Sequence, residues 1–221
     1  MPREPIPLIR EGGFKDAEKL FILSYEGKVS EKKYFNDFRD SVFFDDSGLI
    51  EIVPLKKEGN TGTDPLSVKK LLKKAKLDYQ FKKTDEFWLI IDRDHWETIH
   101  KINFDKLVVE CNKEDNFFLA MSNPCFEIWL IMHLKDINEY NEKEVGLLSE
   151  NESVSRKKNH IDVVLGDLQG RGYNKRPNPE IFLPLTKTAI ERARKLDNSK
   201  DPYPKKLGSH IYKLIEKLLK E

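Results

Sequence analysis

Length, composition and charge exclude several classes of protein. The chain has 221 residues, of which 38% are hydrophobic and 35% charged, and its formal net charge is +1. The hydrophobic residues gather in short blocks, which argues against a disordered chain, and the longest blocks are far too short to span a membrane. Cys111 and Cys125 form neither a metal-ligand pair nor a disulfide framework. Because the first segment also lacks an apolar signal core, we expect a soluble, cytoplasmic protein without membrane association.

The order of the predicted elements indicates an α/β core. Strands are predicted from hydrophobic blocks at 20–25, 49–55, 87–91 and 117–121. Helices are predicted between and after them, at 30–39 with Ser30 as its cap, from Asp64-Pro65 onward, at 96–111 with a possible break near Asn103, and from Asn123-Pro124 to Leu134. This alternation predicts a largely parallel four-stranded sheet with helices on both faces.

The rest of the chain differs in composition from this core. Residues 1–19 are predicted to be an N-terminal extension, 20–135 the α/β core, and 136–221 an α-helical C-terminal region. Residues 136–155 suggest a loop or weak helix, whereas 160–169, 184–197 and 207–220 suggest helices.

The C-terminal region is modestly basic. Residues 150–221 contain 16 Lys and Arg residues against 10 Asp and Glu residues. This excess is compatible with contacts to phosphate and equally with an ordinary solvated helical surface. The side chains considered for guiding nucleic acid are Arg156, Lys157, Lys158, Arg171, Lys175 and Arg176.

Acidic residues follow two of the predicted strands. Glu26, with Gly27 after it, follows the first strand, and Asp92 and Asp94 follow the third. Ligands of open α/β sheets bind beyond the carboxyl ends of the strands, and strand alternation would place Asp92 and Asp94 on one side, with Arg93 pointing away.

Two neighbouring carboxylates repel each other unless a cation lies between them, and Mg²⁺ typically takes one or two carboxylates. We therefore consider an Mg²⁺ or Mn²⁺ site. The alternative is an Asp-x-Asp pair and a turn glutamate that occur by chance in surface loops.

Glu127 is the only formally charged residue in "CFEIWLIMHL", at residues 125–134. Apolar residues surround it on all sides of the predicted helix, and a buried carboxylate is costly unless it is paired or binds a metal. It is therefore a candidate metal ligand or an orienting residue. Alternatively, it complements the positive end of the helix dipole.

Three further side chains are candidates for substrate binding. Ser122 and Asn123 could donate hydrogen bonds to a phosphate, although helix capping would explain at least one of them. Lys28 could reach a phosphate or be a solvated turn residue. The loop "GNTGT" lacks P-loop spacing, and the chain contains no H-E-x-x-H, Cys-x-x-Cys, G-x-S-x-G or G-x-G-x-x-G motif.

Strand–Glu-Gly followed by strand–Asp-x-Asp resembles the Toprim domain of topoisomerases, primases and OLD-type nucleases. Three stretches, "ILSYEGKVSEKKYFNDF", "FWLIIDRDHWE" and "SNPCFEIWLIMHL", resemble the RloB-like family of Toprim-related proteins more closely, as does the terminal "GSHIYKLIEKLLK". His95 departs from the acid expected at that position in many relatives, which leaves its role open.

The resemblance implies a Toprim-like fold and a metal-dependent nuclease. In that case Glu26 is the general acid or base, and Asp92 and Asp94 hold Mg²⁺ or Mn²⁺. We expect the side-chain oxygens of Glu26 to lie close enough to share that ion directly or through its waters. The protein would act on DNA or RNA in phage defence by abortive infection, sometimes beside a partner ATPase. The alternative is a non-catalytic module that binds a partner ATPase or nucleic acid and regulates it. Metal binding would separate the two possibilities.

Overall fold

The computed structural model describes residues 19–27, 29–44, 50–55, 64–78, 81–94, 96–97, 101–198 and 200–219. Strands and helices alternate through the first part of the chain: β1 (Lys19–Tyr25), α1 (Ser30–Arg39), β2 (Ile50–Pro54), α2 (Pro65–Asp78), β3 (Glu86–Asp92), α3 (Phe104–Asn112), β4 (Phe117–Asn123) and α4 (Glu127–Leu134). The second part contains α5 (Glu142–Glu150), β5 (Ser153–Ser155), β6 (Lys158–Asn159), α6 (His160–Leu168), α7 (Pro179–Phe182), α8 (Thr186–Leu196), β7 (Gly208–Ser209) and α9 (Ile211–Leu218).

The main sheet has the strand order β2-β1-β3-β4-β7. The first four strands are parallel, and β7 pairs with the end of β4 in the antiparallel sense. Alternate residues of β3 face opposite layers: Trp88 and Ile90 belong to one hydrophobic cluster, whereas Phe87 and Leu89 belong to the other. The sheet is thus buried on both faces, and the predicted α/β architecture with a mostly parallel sheet is confirmed.

The two faces of the sheet are covered by different parts of the chain. Helices α2 and α3 supply the buried side chains of one layer, including Leu72 and Leu107. Helices α1 and α4 supply the other layer, and the C-terminal helices extend it with residues such as Leu165 and Leu214. The C-terminal region therefore shares one hydrophobic core with α4 instead of standing apart from it. Within the described part of the chain, no helix is both long and apolar enough to cross a membrane.

Several predicted boundaries were wrong for identifiable reasons. Residues 96–97 form a turn, and the helix begins only at Phe104, because the Asn103 side chain caps it by accepting from the backbone N–H of Lys106. The polar stretch 136–155 contains a full helix, α5, whose start is fixed by the reciprocal capping of Asn141 and Glu144.

Ser30 and Asn123 do not cap helices as expected. Ser30 is the first residue of α1, and its hydroxyl bonds elsewhere. Asn123 is the last residue of β4, where it pairs with Gly208 of β7, so α4 starts four residues later, at Glu127. Both polar side chains are thereby left for contacts at the carboxyl edge of the sheet.

Candidate functional site

The carboxyl ends of β1 and β3 lie side by side and bring Glu26 against Asp92. The backbone N–H of Glu26 continues the sheet by donating to the carbonyl of Ile90 at 3.0 Å. The Glu26 carboxylate then accepts from the backbone N–H of Asp92 at 3.1 Å and from the indole N–H of Trp96 at 2.7 Å. Glu26 is thus buried and held in place, as expected of a side chain whose position matters for chemistry.

Strand alternation, which predicted that Asp94 lies on the same side as Asp92, does not apply to Asp94. Strand β3 ends at Asp92, and Asp94 lies in a turn with φ of 36°. Its backbone N–H donates to the carbonyl of Pro124 at 2.8 Å, and its side chain is exposed. Arg93 points away, as predicted, and bonds Glu97 and the carbonyl of Lys205.

Glu31 is a further acid of this site that the sequence prediction missed. It is only 3% exposed, and its carboxylate accepts from the backbone N–H of Gly27 at 2.8 Å. A Cβ atom on residue 27 would overlap the Glu31 carboxylate, so a larger residue at position 27 would displace that side chain. The sequence did contain a signal, because Glu31 begins the buried stripe that continues through Tyr34, Phe35 and Phe38 of α1.

Burial and the neighbouring acids raise the pKa values of Glu26 and Asp92. Burial is the main cause that raises the pKa of Glu26 to about 8, and the charges of Asp94 and Glu31 add to it, whereas the hydrogen bonds from Asp92 and Trp96 oppose it. Burial also raises the pKa of Asp92 well above its usual range, and the charges of Glu31, Glu26 and Asp94 follow in that order. At the carboxyl edge, burial and the neighbouring carboxylates thus both favour the protonated forms of Glu26 and Asp92.

Glu127 lies at the base of the same cluster, as we expected from its apolar surroundings. It is 4% exposed, and Oε1 accepts hydrogen bonds from the hydroxyls of Ser30 at 2.7 Å and Tyr173 at 3.4 Å. Its charge contributes to the raised pKa of Asp92. We refer below to Glu26, Glu31, Asp92, Asp94 and Glu127 as the acidic cluster.

Lys175 supplies a positive charge from the C-terminal region. Its Nζ lies 3.3 Å from Oε1 of Glu127 and 2.6 Å from Oδ1 of Asp162, a buried residue of α6. Burial by itself lowers the pKa of the Lys175 ammonium, but the charges of Glu127 and Asp162 outweigh it and leave the pKa raised. Lys175 was predicted only as one of several basic guides, whereas Asp162 and Tyr173 were not predicted at all.

The three predicted substrate-binding residues have different outcomes. Ser122 is buried and hydrogen-bonded to the hydroxyl of Ser209 at 2.9 Å. The Asn123 amide donates to the carbonyls of Pro204 and Lys206. We therefore withdraw Ser122 and Asn123 as phosphate donors, because both fasten the C-terminal segment to β4. Lys28, like His95, lies outside the described residues.

The acidic cluster fits a hard divalent cation in the kind and charge of its donors. Carboxylate oxygens are the ligands that Mg²⁺ prefers, and a nearby cation would lower the pKa values that burial raises in Glu26 and Asp92. Among the described residues, no three Asp, Glu, His or Cys side chains are grouped closely enough in this arrangement to hold a metal ion. The fit is therefore one of donor chemistry.

Comparison with known proteins identifies the family. Neither a search of curated proteins nor a search of solved structures returned a match. The family model described as RloB-like protein matches residues 21–218. This range includes the strands from β2 to β7, all five members of the acidic cluster and Lys175. The chain belongs to the RloB-like family.

Proposed function

We propose that the protein is a metal-dependent nuclease with a Toprim-like core that hydrolyses phosphodiester bonds of nucleic acid in phage defence. The observation that carries the proposal is the acidic cluster at the carboxyl edge of a parallel sheet. In this cluster Glu26 lies against Asp92 and accepts a hydrogen bond from its backbone N–H. Buried acids with raised pKa values mark a candidate functional site, and a divalent cation would offset the repulsion between them. The Toprim-like fold, abortive infection and a partner ATPase rest on the resemblance to the family alone.

In this proposal Asp92 and Asp94 hold Mg²⁺ or Mn²⁺, and Glu31 and Glu127 add negative charge around it. The bound cation would neutralise phosphate charge and favour attack by water. In the absence of metal, burial raises the pKa of Glu26 to about 8, which favours a role in giving a proton to the leaving oxygen. The hydrogen bonds from Trp96 and the Asp92 backbone keep its carboxyl group in position. Lys175 orients Glu127 through its contact with Oε1 of that carboxylate.

One observation favours the alternative, a non-catalytic module that binds a partner ATPase or nucleic acid. Lys175 pairs with both Glu127 and Asp162, so part of the negative charge is compensated within the chain, as it is in a purely structural ion-pair network. Such a module would need no divalent cation.

Binding of Mn²⁺, followed by electron paramagnetic resonance, separates the two functions. We expect the wild-type protein to bind Mn²⁺, Asp92→Asn to lose that binding, and Asp167→Asn, a change at an exposed acid of α6, to keep it. Equal binding by wild type and Asp92→Asn would favour the non-catalytic module. Cleavage of plasmid DNA and of RNA with Mn²⁺ would then identify the substrate class.

A further inference from the structure

We propose that a cationic surface beside the acidic cluster binds the phosphate backbone of nucleic acid. This inference rests on the proposed function and assigns its substrate-binding face. The surface consists of the turn of the β5–β6 hairpin and the loop that follows α6. Its members are Arg156, Lys157, Lys158, Arg171 and Arg176.

The charge of this surface is uncompensated. Residues 153–176 contain six Lys and Arg residues against two Asp and Glu residues, and one of those two acids, Asp162, is already paired with Lys175. The side chains of Arg156, Lys157, Arg171 and Arg176 are exposed. Among the described residues, none of these four forms an ion pair. Exposed, unpaired cations on adjoining segments are the electrostatic footprint of a phosphate-binding face.

Buried contacts hold the hairpin next to the acidic cluster. Asn151, at the foot of β5, is buried and in the left-handed conformation, and its amide lies 3.7 Å from Sγ of Cys125. Cys125 lies two residues before Glu127, and the carbonyl of the preceding Pro124 accepts from the backbone N–H of Asp94, so Cys125 is beside the cluster. Asn151 also accepts from the backbone N–H of Ile161, which ties both ends of the hairpin to one anchored side chain.

The second segment is anchored to the same place. The Tyr173 hydroxyl lies 3.1 Å from Oγ of Ser30 and 3.4 Å from Oε1 of Glu127, and Lys175 pairs with Glu127. Lys158 of the hairpin approaches this loop, since its Nζ would lie 3.6 Å from a Cβ atom placed on Gly172. The hairpin and the loop therefore form one continuous surface that begins at Glu127.

The position of this surface selects a polyanion as its partner. The acidic cluster repels phosphate, so a nucleic acid can approach the cluster only if neighbouring cations offset that repulsion. The hairpin reaches roughly 10 Å beyond its anchored base, at about 3.3 Å per residue, which is about three nucleotide steps along a strand. Every residue of β5 is exposed, including Val154 at 59%, so the side chains of the hairpin are accessible to a ligand.

The test measures the binding of fluorescein-labelled 20-mer oligonucleotides, duplex and single-stranded, in EDTA by fluorescence anisotropy over a series of salt concentrations. The variant Arg156→Ala/Lys157→Ala removes the two turn cations, and Lys187→Ala/Lys195→Ala makes the same charge change at exposed positions of α8. We expect the turn variant to bind about tenfold more weakly and to lower the slope of log K against log salt by about 1.4 for single strands or 1.8 for duplex. The α8 variant should bind like wild type.

Each result decides the question. An unchanged slope in the turn variant overturns the inference, and so does an equal loss in the α8 variant, which would mean that only net charge matters. Failure of the wild-type protein to bind either oligonucleotide also overturns it and points to an acidic protein partner. Because EDTA prevents cleavage, slope changes in a protein that never cleaves would support this surface while the nuclease proposal failed.

Discussion

The hydroxyl of Ser30 donates a 2.7 Å hydrogen bond to Oε1 of Glu127, although 97 residues separate the two in the chain. The bond joins the first turn of α1 to the first turn of α4. Through Tyr173 and Lys175, the same oxygen also contacts the C-terminal region. Glu127 is thus the point where three separate parts of the chain converge at the carboxyl edge of the sheet.

Ser30→Ala should lower the free energy of unfolding by about 1–3 kcal/mol, because a buried carboxylate loses its shortest hydrogen bond. Chemical denaturation without divalent cations measures the effect. Ser149→Ala, at an exposed position of α5, is the control and should have little effect. Equal stabilities for Ser30→Ala and wild type would show that this bond does not hold Glu127.

Gly27→Ala should displace Glu31, since the new methyl group would lie within 2.4 Å of three atoms of its carboxylate. The displaced side chain would give up its hydrogen bond from the backbone N–H of residue 27, and we expect a loss of about 1–2 kcal/mol of stability together with reduced cleavage. Gly146→Ala is the matched control, because no atom lies within 4 Å of a Cβ at that helical position. It should be neutral or slightly stabilising. A fully stable and active Gly27→Ala would contradict the role given to Glu31.

Without divalent cations, stability should fall as the pH rises from about 5 to about 8. The pKa values of Glu26 and Asp92 are raised in the folded state, so the folded protein retains protons that the unfolded chain releases above pH of about 4. The stabilisation that these protons provide is lost progressively as the pH rises through the folded-state pKa values.

Asp92→Asn should reduce this slope and be more stable than wild type at about pH 8. None of the described residues donates a hydrogen bond to the Asp92 carboxylate, so the amide removes repulsion without leaving a donor unpaired. Denaturation of both proteins across the pH range tests the prediction. A wild-type stability that rises with pH would show that ionisation of these carboxyl groups does not destabilise the fold.

Lys175→Met should destabilise the protein by about 1–3 kcal/mol, because Glu127 and Asp162 lose their shared cation and the half-exposed ammonium is only partly screened by solvent. Combined with Glu127→Gln, the loss should be smaller than the sum of the two single losses. A double-mutant cycle measures this coupling. Strict additivity would mean that the ion pair makes no contribution.

Much of the fold could be predicted because its main strands coincide with hydrophobic blocks in the sequence. The order of strands and helices before residue 95 follows from "LFILSY", "LIEIVPL" and "FWLII", and these three strands pair in parallel, as the crossovers indicate. Predictions failed where a polar side chain had two possible partners. The sequence predicts a break near Asn103, which instead caps α3. It also predicts a cap at Asn123, whose amide instead donates to the carbonyls of Pro204 and Lys206.

Only those site residues that stand out in the local sequence could be predicted. Glu26, Asp92 and Glu127 were identifiable because each follows a strand or interrupts an apolar run. Glu31 could have been found from its place on the buried stripe of α1. Tyr173, Asp162 and the pairing of Lys175 with Glu127 could not be predicted, because they depend on how the C-terminal region packs against α4, which no short pattern encodes.

Cleavage of nucleic acid by wild type and Asp92→Asn, each purified free of contaminating nucleases and compared with and without Mn²⁺, tests the central claim most directly. We expect Mn²⁺-dependent cleavage by wild type and a loss of at least about 100-fold in Asp92→Asn, because the cation contributes several kcal/mol to the transition state. Glu26→Gln should also lose cleavage but still bind Mn²⁺. Cleavage by Asp92→Asn at the wild-type rate, with both proteins folded, would contradict the assignment of this acidic cluster as a nuclease site.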